Sequence, residues 1–296
     1  MTANLLGLLL MLMFQDTETP ALFGPGEIRG SVISKTCPEI SGIVASRHYP
    51  GVLWVHNDSG SGPEVMALDK EGVLRATFTL KNAKARDWED IAIGPSPAVG
   101  VDYLYVADTG NNDAHDGKPH KFVRVYRFTE PAVNLAGESI RADVTEVETL
   151  KLTYPDMAHD VEGLLLDPWD GGLYFFSKRD PRCRVYRLNN AQTASGEAVL
   201  EFLGELPHFM ITAADISADG RQILMKDYKA VWYWRRQTGE SLLHALQKPA
   251  TRLTGYIVEP QGEALTFDPQ GKGFYTLSEA RKKATPLYYY PNLQAD

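Results

Sequence analysis

Five stretches of the chain repeat one arrangement of small, acidic and apolar positions. They read ISGIVAS at 40–46, WEDIAIGP at 88–95, VEGLLLDP at 161–168, AADISADG at 213–220 and GEALTFDP at 262–269. Each opens on a small or acidic pair, continues as a short apolar strand and stops at a Pro, Gly or Asp turn. A second apolar run follows each one: VLWV at 52–55, YLYV at 103–106, LYFF at 173–176, QILM at 222–225 and FYTL at 274–277. A third run alternates aromatic and basic residues, most clearly FVRVYR at 122–127 and RVYR at 184–187.

With Ser41, Glu89, Glu162, Ala214 and Glu263 as markers of the repeat, the intervals are 48, 73, 52 and 49 residues. A period near 50 with four short strands per unit is the signature of a propeller blade. The expected fold is all-β: a five-bladed β-propeller of four-stranded antiparallel blades, in a single domain over residues 21–296. The long interval is accounted for by an insertion at 113–121 and an extended linker around 131–143, with VETLKL at 147–152 as the outer strand of the second blade. The last repeat lacks an outer strand after LYYY at 287–290, and EIRGSVI at 27–33 is expected to fill that place, closing the ring and hiding a sheet edge. Six blades remain open if a divergent blade lies between 128 and 155. No GH…WD signature is present, which excludes a WD40 repeat.

The N-terminus breaks the pattern. LLGLLLMLMF at 5–14 is an uncharged apolar run followed by polar residues, too short to span a bilayer and of the length of a signal-peptide core. No Lys or Arg precedes it and no small-x-small site follows, so a buried strand or helix is the competing reading. Residues 1–20 are set apart from the fold on this basis, and a secreted or periplasmic location is expected. No later apolar run reaches membrane-spanning length. Lys plus Arg number 30 against 38 Asp plus Glu, a net charge of −8. With no basic run, this is the wrong sign for a protein that neutralises phosphates along a nucleic acid. The two cysteines, Cys37 and Cys183, lack CxxC spacing and leave one bridge open but not implied.

The first strand of a propeller blade lines the central channel, so the markers become a ring around the axis. Three carboxylates converging there, Glu89, Glu162 and Glu263, repel one another unless a cation sits among them. Calcium, which takes oxygen ligands from carboxylates, hydroxyls, carbonyls and water, is the expected ion, with Ser41 completing the set. Solvated channel carboxylates without an ion are the alternative. Asp90 and Asp215 alternate away from the axis and are expected to brace neighbouring blades. Residues just before each inner strand share a face with the loops after each second strand. That face collects Asp58, Asp87, Asp108, Asp160 and Glu279 together with the basic residues Arg86, Lys178, Arg179, Lys226 and Arg281. Such a mouth suits an anionic small molecule, a phosphate or carboxylate, unless the loop charges pair with one another. The segment at 108–113 lacks the glycine and closing glutamate of an EF-hand loop.

The phrases DWEDIA at 87–92, YVADTGNN at 105–112, VEGL at 161–164 and GEAL at 262–265 resemble a family of bacterial, often exported, β-propeller proteins without an assigned activity. The ring itself resembles that of the calcium-activated nucleotidases (apyrases), five-bladed propellers whose central calcium is held by a column ordered Ser, Glu, Glu, Ser, Glu. Here the column reads Ser41, Glu89, Glu162, Ala214, Glu263, with Ala214 departing from it by one hydroxyl. That family's nucleotide-gripping residues have no match, so the resemblance implies calcium and not nucleotidase activity. The reading is an exported, monomeric, calcium-binding propeller that takes an anionic ligand on its loop face. It is a candidate calcium-dependent phosphoester or other ester hydrolase, with Asp58 or Asp108 as general base and Lys178 and Arg179 steadying negative charge. The competing class is a non-catalytic binding or scaffold propeller in which calcium only pins the blades.

Overall fold

A computed structural model describes residues 21–33, 35, 37–114, 117–279 and 283–294, so the apolar run at 5–14 lies outside the described residues. The chain forms five sheets of four or five strands. Their inner strands are Ile40–Ala45, Trp88–Pro95, Val161–Leu166, Ile211–Ile216 and Gly262–Phe267. Each touches the next around a ring, and the last touches the first. The architecture is a five-bladed propeller. The region held open for a sixth blade instead feeds two existing ones. Glu148–Thr153 is the expected outer strand of the second blade, pairing antiparallel with Val123–Thr129.

Two edge strands depart from the expected pattern. Ile140–Val144, read from sequence as linker, pairs in parallel with Leu74–Leu80 and makes a fifth strand of the first blade. Glu197–Val199 does the same for the second blade, alongside Glu148–Thr153. The first of these is largely exposed, so it carries no apolar alternation by which to recognise it. The ring closes as expected: Glu27–Val32 pairs antiparallel with Thr285–Pro291 and supplies the outer strand of the fifth blade.

A propeller has no single core. The apolar side chains fall into five clusters, one between each pair of neighbouring blades. Trp54, Trp88 and Tyr126 lie between blades one and two, and Tyr105, Leu164 and Phe175 between two and three. Cys183 is buried between blades three and four and Cys37 between five and one, both as free thiols. Polar side chains stitch the inner strands across these seams. Ser41 Oγ donates to the Glu89 carbonyl at 2.6 Å, Thr109 Oγ1 to the Val161 carbonyl at 2.8 Å, and Thr212 Oγ1 to the Gly262 carbonyl at 3.2 Å. Asp90 and Asp215 brace their neighbours. Asp90 accepts the amides of Leu164 at 2.8 Å and of Ala214, one blade further on, at 3.3 Å. Asp215 accepts the Phe267 amide at 2.7 Å and the Thr266 hydroxyl at 3.0 Å.

Candidate functional site: an acidic mouth braced by a lysine

Every inner strand breaks register once, near its start. The pairing slips between Ile40 and Gly42, Trp88 and Ile91, Val161 and Gly163, Ile211 and Ala213, and Gly262 and Ala264. A bulge of this kind leaves one residue unpaired and re-aims its side chain. The residues so released include Ser41, Glu89, Glu162, Thr212 and Glu263. The fourth place therefore belongs to Thr212 and not to Ala214, which lies two residues further down its strand. The small pair Ala213-Ala214 before Asp215 imitates the opening of the other repeats two residues too late. The better signal is an apolar, polar, small triplet: Ile40-Ser41-Gly42, Val161-Glu162-Gly163, Ile211-Thr212-Ala213. The small residue has a steric reason at Gly42, where a Cβ would lie 2.3 Å from His56 Nε2.

The carboxylates of the column do not stand alone. Ligand oxygens of Asp58, Asp87 and Glu89 lie within 4.8 Å of one another, as do those of Glu89, Asp160 and Glu162, and those of Asp58, Glu263 and Glu279. The loop 108–112 holds this group from the second blade. Asp108 accepts the Asp87 amide at 2.9 Å, and the Asn111 amide donates to Asp160 Oδ1 at 2.8 Å. Burial raises the carboxyls of Asp58, Asp87, Glu89, Glu162 and Glu263 above their usual range. Asp58 is pushed up to about 7 by burial, opposed by the Ser59 amide and reinforced by the charges of Asp87 and Glu279. Burial and then the charge of Glu162 hold Glu89 well above its ordinary value. Asp87 is raised by burial and by Asp160.

Lys178 enters the same mouth. Its ammonium pairs with Glu162 and lies 3.6 Å from Glu263 Oε1 and 5.1 Å from the centre of the Tyr228 ring. Burial disfavours its charge, but Glu162 and Glu263 outweigh burial and raise its pKa. Arg179 donates to Asp160 Oδ2 at 2.8 Å and to Asn112. On the other side Tyr228 donates its hydroxyl to Glu263 Oε1 at 2.6 Å.

Of the residues singled out in sequence, the structure gathers Glu89, Glu162, Glu263, Asp58, Lys178 and Arg179 at one mouth, with Ser41 on its rim. Asp108 stands apart. It is fully buried, and besides the Asp87 amide its carboxylate faces Arg124 at 3.3 Å and Arg86 at 3.8 Å. Lys226 is paired with Glu259 and buried beside the Tyr256 ring. Arg281 lies outside the described residues. His159 is held between Asp180 at 3.0 Å and Asp156 at 3.3 Å. Thr212 and Tyr228 are the members that sequence reasoning missed. Tyr228 carries no local signal, because its partner Glu263 belongs to another blade.

Fold and site together define the class: a five-bladed propeller with a carboxylate-rich, lysine-braced axial mouth. A scan against protein-family models finds no match, and no curated protein matches the sequence at a significant level. No helix among the described residues is long and apolar enough to cross a membrane.

Proposed function

We propose that this is an exported propeller that binds Ca²⁺ at its axial mouth. The carrying observation is the imbalance of charge there. Seven carboxylates, Asp58, Asp87, Glu89, Asp160, Glu162, Glu263 and Glu279, converge in overlapping groups, while among the described residues Lys178 pairs with Glu162 and Glu263 and Arg179 with Asp160. Lys178 neutralises the Glu162–Glu263 side. The surplus lies with Glu89, Asp58 and Asp87, an all-oxygen donor set of the kind a hard cation takes. Thr212 adds support from the resemblance, because the column now reads Ser, Glu, Glu, Thr, Glu and keeps the hydroxyl–carboxylate order of the apyrase ring. Export rests on the apolar run at 5–14.

A calcium ion in this seat would polarise a phosphoryl or acyl oxygen of an anionic ligand. Asp58, at the edge of this seat, is the candidate to accept a proton from water, whereas Asp108 is committed to holding Asp87. One observation favours the non-catalytic alternative. Lys178, Arg179 and Lys226 each pair with a carboxylate, so none is left free to receive an anion directly. In that reading the cation serves to pin the blades.

The test is thermal unfolding after EDTA treatment, with and without added Ca²⁺, in wild type and Glu89→Gln. An ion that binds only the native state stabilises it by about 2.7 kcal/mol at 100 times its dissociation constant. A calcium-specific rise in Tm that Glu89→Gln abolishes supports the seat. No shift with either Ca²⁺ or Mg²⁺ refutes it. Turnover of phosphate esters that depends on Asp58 would then separate the hydrolase from the scaffold.

A further inference from the structure

We propose that a pocket on the mouth face, at the outer flank of the fourth blade, binds a small aromatic anion: an apolar ring system bearing one carboxylate or phosphate. The pocket has a volume of about 430 Å³ and is walled by Phe209, Met210, Tyr228 and Trp232, with Lys229 and Arg252 among its remaining lining residues. That volume falls inside the range of roughly 300–1,000 Å³ typical of small-molecule sites.

Its walls are set in advance. The Trp232 indole donates to Asp227 Oδ2 at 2.8 Å and packs edge-on against His208, 4.9 Å between ring centres. Tyr228 is fixed by its hydrogen bond to Glu263. Met210 sits at φ 57, a left-handed conformation uncommon for its type, and its amide donates to the Lys178 carbonyl at 3.0 Å. That turn leaves the preceding Phe209 54% exposed at the pocket edge. An exposed phenyl ring beside an oriented indole is a surface on which a planar ring stacks.

The polar inventory decides the rest of the ligand. Asp227 uses its carboxylate on the amides of Lys229 and Ala230 and on the Trp232 indole, and the Tyr228 hydroxyl is spent on Glu263. A ring rich in hydrogen-bonding groups would find no partner in these side chains. The two cations differ from those of the axial mouth. Among the described residues neither Lys229 nor Arg252 pairs with a carboxylate, and Arg252 makes only a long contact, 3.5 Å, with the Lys229 carbonyl. Both side chains are exposed and available to an anionic group. The inference stands apart from the calcium seat, since no carboxylate of the mouth lines the pocket. Tyr228, through Glu263, and Met210, through the Lys178 carbonyl, touch both.

The test is isothermal titration of the full chain with 2-naphthoate, in EDTA and again in calcium. Acetate serves as the ringless control and 2-naphthalenemethanol as the uncharged one. Binding of 2-naphthoate is expected in both buffers, and each control should bind at least about tenfold more weakly. Phe209→Ala and Arg252→Gln, both at exposed positions, should each weaken 2-naphthoate by about tenfold and leave the Tm response to calcium unchanged. Three results would overturn the proposal: no heat at millimolar 2-naphthoate, acetate binding as tightly, or both variants binding like wild type. A lost calcium response with intact naphthoate binding would refute the axial seat and leave the pocket standing.

Discussion

Gly110 lies so close to Glu89 that a Cβ built on it would fall 2.0 Å from Glu89 Oε1 and 2.4 Å from Asp87 Cγ. The glycine of the DTGNN segment is thus a matter of space. Its backbone is not in the left-handed region, so alanine meets no conformational penalty there. The atoms in the way are the free ends of two carboxylates and can move. Gly110→Ala is expected to fold with a Tm within a few degrees of wild type while losing the calcium-induced rise. A differential scan with and without Ca²⁺ reads both quantities. An alanine variant with an intact calcium response would show that these carboxylates hold no ion.

Lys178 is the resident cation of the mouth. Lys178→Gln leaves Glu162 and Glu263 buried without it, and breaking a buried ion pair from one side costs about 3–5 kcal/mol. The variant should therefore be strongly destabilised in EDTA, and added calcium should recover most of the loss. The rise in Tm on adding calcium becomes larger than in wild type. An ion held by Glu89 and Asp58 borders both glutamates, so equal calcium responses in the two proteins would show that it does not compensate for the missing lysine.

His56 is fully buried, and burial lowers its pKa to about 4, against the pull of its hydrogen bonds to the backbone at Asn57 and Asp90. The unfolded chain takes up a proton near pH 6.5 that the folded chain refuses until about pH 4. Stability from this group is therefore complete above pH 6.5 and is lost as the pH falls through that window, by about 3 kcal/mol in all. Denaturant unfolding in EDTA at pH 7 and pH 4.5 measures it. His56→Gln should show a smaller acid loss than wild type, and parallel losses would assign the effect elsewhere.

Both thiols are buried, and burial pushes Cys37 up to about 12 and raises Cys183 as well. The thiolate is the reactive form, so neither should react with a thiol reagent at pH 8 in the native protein. Both should label fully in denaturant, and no disulfide should form on oxidation, because the two sit in different seams. Rapid native labelling of one of them would reveal local opening of its seam.

The blades, their number and the closing strand Glu27–Val32 were legible in the chain, because each depends on short-range alternation and a fixed repeat. A period of two and a turn every few residues are local properties, and burial in five similar seams enforces them. The three glutamates were legible for the same reason, since each opens its own apolar run. Folding decided what local pattern cannot carry. The register bulge at Ile211–Ala213 put Thr212 on the axis, and a bulge is visible only once two strands are paired. Lys178 met Glu162 and Glu263, and Tyr228 met Glu263, across blades whose angular positions no spacing rule contains. Ile140–Val144 joined the first blade as an exposed edge, held by backbone hydrogen bonds that any side chains permit. Side-chain periodicity records which face is buried; which charge lies opposite which is set only when the ring closes.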